Sequence, residues 1–321
     1  MNTPSNNKYI YIKLCEEKDN IPLFMQAWWM DAVCINKTWD VFIYKKNEKI
    51  IATWVFHYIK KFGFKIILQP QLTQYNGIWI NYPEDISISD KLSLEKEAMN
   101  NLLEQMSHFR FSFINQNFHY SFTNWLPFYW KGYEQTTRYT YQIQDISTPE
   151  KYFNEFRTSK KSHIKKATKS ITINNDLSGI EFYNYLETNL KSLNQNVTYT
   201  KELFLSLYKA SITRNQGCIF SAKDEKNNFH AALFIVWDKT SAYNLISTIT
   251  PQFRSSGATS LLFYEAIKSM SSKTKIFDFE GSMNEKIEKS FREFGAIQVP
   301  YFNIQYINSL IINILCYLKK Y

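Results

Sequence analysis

Two acidic residues near the end of a short apolar segment are candidates for proton transfer. Asp278 lies between Phe277 and Phe279, and Glu280 follows two positions later. If Lys275–Phe279 is a strand, its two-residue period places both carboxyl groups on one face. A carboxylate at the carboxyl end of a strand in an α/β sheet is well placed to act as a general base. For each residue alone, a helix cap or an ion pair with a lysine is the competing interpretation.

A turn of small residues forms a second candidate site. Arg254 is followed by the run Ser255-Ser256-Gly257-Ala258-Thr259, and an apolar pattern of helical spacing begins there. The first N–H groups of a helix have no partner within the helix and favour a phosphate or another anion. We therefore predict that Arg254 and the backbone of Gly257, Ala258 and Thr259 bind an anion. Many ordinary helices also begin after small residues, so the turn alone does not distinguish an anion-binding site from an ordinary helix start.

A basic segment extends from Arg157 to Lys169. Lys161, Lys165 and Lys169 recur every four residues, which places them on one face of a helix. Like charges at that spacing repel by roughly 0.2–0.5 kcal/mol per pair. A bound phosphate would offset this repulsion, and a solvated basic face is an equally good interpretation. Arg157, Lys161 and Lys165 are accordingly candidate substrate-binding residues.

The composition limits the class of protein. The chain has 321 residues, which favours two domains, and its net charge of +9 favours anionic partners. Its lysines are scattered rather than clustered, so a general lysine bias explains the charge equally well. The four cysteines have no short spacing, and we expect no disulfide framework.

Several common classes of site are missing from the sequence. The five histidines lack HxxxH and HxH spacing, so we expect no metal site. There is no Walker loop, no GxGxxG and no GxSxG, which removes the commonest NTPase, dinucleotide and serine hydrolase classes. The hydrophobic pattern of the sequence shows neither a signal peptide nor a membrane span, so we expect a cytoplasmic protein.

The hydrophobic pattern predicts the elements that position these residues. The second half reads as strands Phe229–Trp237 and Ala242–Ile249, a helix from Ala258, the strand Lys275–Phe279 and a helix ending at Gly295. The first half repeats that order after a first strand: the predicted elements are Ile10–Leu14, the hairpin Trp39–Tyr44 and Ile50–Ile59, and the helix Ser89–His108. We predict an α/β protein with a mixed sheet and two related units, residues 1–145 and 146–321.

Together these segments resemble the GNAT superfamily of acyltransferases, and more closely its FemAB-like branch of peptidoglycan aminoacyltransferases. Arg254–Thr259 is similar to the signature Arg/Gln-x-x-Gly-x-Gly/Ala, with Thr259 at the last small position. Asp278-Phe279-Glu280-Gly281 is similar to an Asp-Phe-Gly-Gly turn, with Glu280 in place of a glycine. Two further segments resemble FemAB-like motifs: Arg157…Ile164-Lys165-Lys166-Ala167 and Phe291-Arg292-Glu293-Phe294-Gly295.

The resemblance implies two GNAT-like units in tandem and transfer of an acyl or aminoacyl group to an amine. The donor would be an anionic activated ester or thioester, either aminoacyl-tRNA or acyl-coenzyme A, with no tightly bound cofactor. The amine would belong to an acceptor such as a peptidoglycan precursor.

On this interpretation each candidate residue has a role. Asp278 or Glu280 removes a proton, and Arg292 and the backbone of Ala242–Ile249 face the developing oxyanion. Tyr243, on that strand, is a candidate substrate-binding residue. The phosphates of donor and acceptor would be held by Arg254 with the Gly257–Thr259 amides and by Arg157 with Lys165.

Two alternatives stay open: an acyl-coenzyme A-dependent N-acyltransferase, and a non-catalytic protein of GNAT-like fold that binds polyanions or membrane surfaces. The C-terminal segment Tyr306–Tyr321 bears on the second. It carries an apolar stripe followed by two lysines: Leu310, Ile311, Ile314, Leu315, Leu318 and Lys319-Lys320. Such a stripe more often packs on its own domain than on a membrane. A lipid-linked acceptor would nevertheless make weak contact with a membrane surface useful.

Overall fold

A computed structural model describes residues 6–318, except residues 35, 37, 282 and 284, and for residues 315–318 it describes the backbone alone. The chain has an α/β fold with parallel and antiparallel strand pairs, which confirms the predicted class. It divides into two compact units. The first unit comprises residues up to Arg138 together with those from Pro300 onward, and the second comprises Tyr139–Val299.

The helices and strands of the described residues are numbered in chain order. The helices are α1 (Asn6–Glu17), α2 (Ala27–Val33), α3 (Ile88–His108), α4 (Leu126–Trp130), α5 (Pro149–Glu155), α6 (Thr158–Ala167), α7 (Gly179–Lys191), α8 (Lys201–Thr213), α9 (Ala258–Met270), α10 (Glu285–Arg292) and α11 (Leu310–Leu318). The strands are β1 (Trp39–Lys46), β2 (Lys49–Lys61), β3 (Phe64–Leu68), β4 (Gly77–Ile80), β5 (Phe113–Asn117), β6 (Glu134–Ile143), β7 (Ile171–Asn174), β8 (Gly217–Asp224), β9 (Phe229–Trp237), β10 (Ser241–Ile249), β11 (Ile276–Asp278) and β12 (Ile297–Ile307).

The first unit is built on a sheet that begins with the predicted hairpin. β1 pairs with β2, β2 pairs with β3 and β4, and β5 joins β3 in parallel. The end of β12 returns antiparallel to β5. α3 packs against this sheet through its apolar face, which includes Met99, Leu102 and Met106. The rings of Trp54, Phe118 and Phe128 meet edge to face in the same core.

The second unit carries the candidate site. Its strands follow the order β6-β11-β10-β9-β8-β7, and only the β10–β11 pair is parallel. α9 covers one face through Leu262, Ala266 and Ile267, all fully buried. The other face packs against α7 and α8, where Phe182, Phe204 and Phe234 meet. The parallel pair therefore lies inside a sheet covered on both faces, as parallel strands usually do.

The structure corrects three details of the sequence prediction. Ile10–Leu14, predicted as a strand, lies inside α1, because Tyr11 and Leu14 are three residues apart and bury one helical face. The helix predicted to begin at Ser89 begins at Ile88, and Ser87 caps it, since its Oγ accepts from the N–H of Asp90 at 3.1 Å. Lys169 lies beyond the end of α6, so only two of the three basic residues share that helix.

The contacts also group the chain differently from the predicted division at 145/146. Residues 139–145 belong to the second unit, and residues from Pro300 onward belong to the first. The cause is strand pairing: Asn303–Ile307 pair with β5, whereas the end of β6 pairs with β11.

The C-terminal segment forms α11 after β12. Leu310, Ile311 and Ile314 of the predicted apolar stripe are exposed, whereas Ile312, which is not part of that stripe, is buried. The side chains of residues 315–318, and residues 319–321 altogether, lie outside the described part of the chain. No helix among the described residues is long and apolar enough to cross a bilayer.

Candidate active site

The parallel strands β10 and β11 pair over only three residues. Ser241, Ala242 and Tyr243 oppose Ile276, Phe277 and Asp278, and the register ends there. β10 continues beside β9 as far as Ile249. The chain after β11 instead stays with β6, since the N–H of Phe279 donates to the carbonyl of Tyr141 at 2.9 Å. The two strands therefore separate beyond Tyr243 and Asp278, and the sheet opens at that point.

Gly281 keeps the β11 extension against β6. A Cβ atom on Gly281 would lie 1.7 Å from the carbonyl oxygen of Tyr139 and 2.6 Å from the Cα of Thr140. Both are backbone atoms, which a rotamer change cannot move. A glycine is therefore required for the chain to approach β6 so closely.

Asp278 is fully buried at the opening, and three donors satisfy its carboxylate. Thr140 Oγ1 donates to Oδ1, Gln142 Nε2 donates to Oδ2 at 2.8 Å, and the N–H of Glu280 donates to Oδ1 at 2.8 Å. A buried carboxylate with these donors forms strong charge-assisted hydrogen bonds, which hold the surrounding backbone and side chains in place. Thr140 and Gln142 lie in an aromatic-rich part of the sequence, and no local pattern pointed to them.

Glu280 is the unsatisfied carboxyl of the pair. The residue retains some exposed surface, but its Oε1 is buried and has no hydrogen-bond partner among the described residues. Its backbone has a φ of 53°, in the left-handed region, which is uncommon for a residue with a side chain. Burial, and then the charge of Asp278, raise the pKa of Glu280 well above its usual range. The shift extends the protonated form of this carboxyl to higher pH than in an ordinary glutamate.

The predicted anion-binding turn does precede a helix. Gly257 adopts a φ of 80° immediately before α9, and a Cβ there would lie 2.7 Å from the carbonyl oxygen of His163 in α6. Arg254 and Ser255 are exposed, whereas Ala258 is buried and Thr259 is partly buried. The N–H of Ala258 already donates to Ser256 Oγ at 3.2 Å. The turn consequently satisfies one of its helix N–H groups itself.

Two side chains outside the sequence motifs, His230 and Asp224, hold this turn through the motif residue Ser256. Ser256 Oγ lies 3.0 Å from Nδ1 of His230, and Nε2 of His230 lies 3.4 Å from Oδ2 of Asp224. The imidazole also stacks on Phe253 at 3.9 Å between ring centroids. Asp224 accepts from Asn228, whose side chain is the main reason that the pKa of Asp224 falls to about 2. We name Asp224, His230 and Ser256 the turn clamp.

The predicted basic residues follow α6 from its N-cap, Arg157, to Lys165 in its last turn. The Arg157 guanidinium is largely exposed and lies 3.2 Å from a Glu293 carboxylate oxygen, and the Arg157 N–H donates to the Glu293 carbonyl. Lys161 Nζ donates to the Asn154 carbonyl at 2.8 Å. Lys165 is exposed. Arg157 and Lys161 thus contact neighbouring residues of the protein, whereas Lys165 is open to solvent.

Arg292 and Tyr243 are placed in opposite environments. Arg292 is exposed and lies 2.9 Å from Glu288 in α10, and this ion pair raises the pKa of the guanidinium further. Tyr243 is buried directly beside Asp278 in the strand register. Their predicted roles stay predictions. No group of three metal-ligating side chains occurs among the residues that the structure describes.

The chain has the tandem GNAT fold of FemAB-like proteins, as the sequence motifs predicted. FemX superposes with a TM-score of 0.70 at 12% identity, covering 98% of this chain and 99% of FemX. The C-terminal domain of a putative lysylphosphatidylglycerol synthetase from Agrobacterium fabrum gives 0.57 at 8% identity, covering 98% and 95%. A tandem GNAT protein from the clavulanic acid biosynthesis pathway gives 0.50 at 7%, covering 84% and 83%.

No family model and no curated protein sequence matches the chain. At these identities the structural likeness establishes the fold, and the chemistry has to be argued from the residues.

Proposed function

We propose that this chain is an acyltransferase that moves an acyl or aminoacyl group from an activated ester or thioester to an amine. One observation carries the proposal: the sheet opens where β10 and β11 separate, and the carboxyl of Glu280, with its buried and unpartnered Oε1, follows directly after that point. Beyond Tyr243, the edge of β10 that faces away from β9 carries backbone N–H groups. Such groups can stabilise a carbonyl oxygen as it becomes negative.

Glu280 is assigned the proton transfers. The amine attacks the acyl carbon, the new C–N bond forms, and the bond to the leaving oxygen or sulfur breaks. Protonated Glu280 gives its proton to that leaving atom, and the resulting carboxylate takes the proton that the amine loses. A carboxyl whose pKa lies above its usual range suits both steps, because it retains its proton in the resting state and is a stronger base once ionised.

Asp278 is assigned a positioning role. Its carboxylate is engaged by three donors, so it has little capacity to accept the proton of an amine. It instead fixes the backbone of Glu280 and raises the pKa of that side chain. Glu280 is thereby favoured over Asp278 as the proton carrier, a choice that the sequence left open.

The donor is proposed to bind as an anion. Arg254 and the Gly257–Thr259 backbone would hold phosphates of the donor, and Lys165 with Arg157 would contact those of the donor or acceptor. The FemAB-like motifs support aminoacyl-tRNA as donor and a peptidoglycan precursor as acceptor, in the cytoplasm. An acyl-coenzyme A-dependent N-acyltransferase would use the same chemistry. The identity of the donor, aminoacyl-tRNA or acyl-coenzyme A, distinguishes that enzyme from a FemAB-like aminoacyltransferase. Arg292 stays a proposed oxyanion contact, which requires its pair with Glu288 to open.

Turnover with defined donors tests the proposal. Parent protein is given aminoacyl-tRNA or acyl-coenzyme A with an amine acceptor, and amide formation is measured by mass spectrometry. Glu280→Gln should lower turnover by about 10²–10⁴-fold, the usual contribution of general acid–base catalysis. Glu285→Gln, which changes an exposed glutamate, is the control and should leave turnover at the parental value. Transfer by neither donor, or parental turnover by Glu280→Gln, would overturn the proposal.

A further inference from the structure

An exposed apolar surface lies on α3 and α4 in the first unit. Its members occupy successive helical turns: Ile88 and Leu92 are four residues apart in α3, and Leu126 and Trp130 are four residues apart in α4. Tyr129 adjoins Trp130. At least half of each of these residues is exposed. We call the five residues Ile88, Leu92, Leu126, Tyr129 and Trp130 the α3–α4 patch.

Three of the five patch residues surround the same cavity. Leu92, Leu126 and Trp130 line one shallow cavity of about 300 Å³. Ile88 continues the Leu92 side of α3 by one turn. Single exposed apolar residues are normal on a protein surface, but a grouped set marks an interaction site.

Two cationic side chains border the patch. Lys96 lies one turn beyond Leu92 and places its Nζ 5.3 Å from the centroid of the Trp130 ring. Lys131 directly follows Trp130 and is exposed. Neither lysine forms an ion pair with the described residues, so both charges are available. Asp90, near Ile88, accepts a hydrogen bond from the Ser87 hydroxyl at 2.7 Å.

We propose that the α3–α4 patch docks the protein on an anionic membrane surface. Trp and Tyr favour the boundary between headgroups and acyl chains, where one part of the ring is apolar and the other is wet. Leucine and isoleucine enter the apolar side of that boundary, and lysine rims attract anionic headgroups. The charge on the border of the patch favours this occupant over a second copy of the chain, because the second copy would present the same positive border instead of a complementary negative one. The inference is independent of the transfer chemistry in the second unit.

Vesicle cosedimentation tests the inference on the full chain. The parent should bind vesicles of equal parts phosphatidylcholine and phosphatidylglycerol more tightly than phosphatidylcholine alone. The double variant Leu126→Glu with Trp130→Glu should bind about tenfold or more weakly, because two inserted apolar groups become carboxylates. The matched control is Ile180→Glu with Ile212→Glu, which changes two exposed isoleucines on α7 and α8 by the same charge and should bind like the parent. Circular dichroism checks that each variant is folded.

Two further variants assign the contact. Replacing Lys96 or Lys131 by Gln should weaken binding to the anionic vesicles by about fivefold each. Leu310→Glu with Ile311→Glu alters the exposed start of α11 and should leave binding unchanged. Absence of binding by the parent, equal binding by parent and patch variant, or loss only in the α11 variant would each overturn the inference. So would a dimer of the parent, seen by light scattering, that the patch variant alone dissociates.

Discussion

The backbone N–H of Glu280 donates a hydrogen bond of 2.8 Å to the carboxylate of Asp278, and this bond joins two acidic residues with unequal surroundings. Asp278 has three donors, whereas Oε1 of Glu280 has none among the described residues. Two nearby carboxyl groups with such different environments separate into one charged and one neutral member. The three donors favour the charged form of Asp278, and burial beside that charge raises the pKa of Glu280 and favours its protonated form.

This separation predicts the pH dependence of transfer. If protonated Glu280 donates to the leaving group, the rate falls as pH rises through its raised pKa. Asp278→Asn removes the nearby charge and so lowers that pKa, although burial still raises it. The alkaline limb of the pH–kcat profile should therefore move to lower pH in Asp278→Asn. A limb that stays in place would show that another group controls it.

The same pKa shift predicts a change in stability with pH. Glu280 binds its proton more tightly in the folded chain than in the unfolded one, whose pKa is near 4.5. Its contribution to stability is present below that value and is lost as pH rises towards the folded pKa. Glu280→Gln cannot ionise, so its melting temperature relative to the parent should rise from pH 4 to pH 8, taken as approximate ends of the window. Glu285→Gln, at an exposed site, provides the control, and equal pH dependence of Glu280→Gln and parent would contradict the assignment.

Gly281→Ala should be strongly destabilising, because the new Cβ would lie 1.7 Å from the Tyr139 carbonyl oxygen. The backbone must move to relieve that contact, and we expect a loss of about 3 kcal/mol or more in the free energy of unfolding. Gly63→Ala is the control: it meets no atom within 4 Å but has a φ of 80°, so it should cost only about 1 kcal/mol. Urea denaturation measures both. Similar losses would show that the contact relaxes easily.

Local sequence patterns predicted the elements of the site better than its contacts. Strand-length apolar runs predicted β9 and β10, and the spacing of Leu261, Leu262 and Ala266 predicted α9. Local periodicity carries this information, since each pattern reflects the face that an element buries. It failed at Ile10–Leu14, where a short apolar run fits a strand and a helix equally well.

Contacts between distant residues have no such local signal. Thr140 is 138 positions from Asp278, and His230 is 26 positions from Ser256. The three-residue pairing of β10 with β11, which opens the sheet, is likewise a property of the assembled strands. The strand pattern of Lys275–Phe279 singled out Asp278 and Glu280, and the FemAB-like resemblance gave them a role, but only their surroundings distinguish the roles proposed for them.

Ser256→Ala tests the turn clamp. The variant loses the contact with His230 and the hydrogen bond from the Ala258 N–H, and removing such a cap costs about 1 kcal/mol of stability. We also expect weaker binding of coenzyme A or tRNA at the turn, seen as a smaller rise in melting temperature on addition of ligand. Ser255→Ala changes the exposed neighbouring serine and should behave like the parent. An equal rise in melting temperature on addition of ligand in Ser256→Ala and Ser255→Ala would show that the turn clamp has no role in binding.

His119 predicts acid sensitivity in the first unit. Its ring is buried against Tyr75 and Tyr120, and burial lowers the pKa of the imidazole to about 3. The unfolded chain, whose histidines have a pKa near 6.5, therefore binds a proton that the folded chain does not. The stability associated with neutral His119 is present above pH 6.5 and is lost as pH falls towards 3.

Replacing His119 should reduce that loss. His119→Gln has no proton to gain, so although it is less stable than the parent at pH 7 through lost packing, the difference should narrow as the pH falls from about 7 to about 4. His108→Gln replaces an exposed histidine and should follow the parent at every pH. Urea denaturation at each pH measures the three proteins. A constant difference between His119→Gln and the parent would mean that the buried ring gains its proton without unfolding, which its enclosure by Tyr75 and Tyr120 argues against.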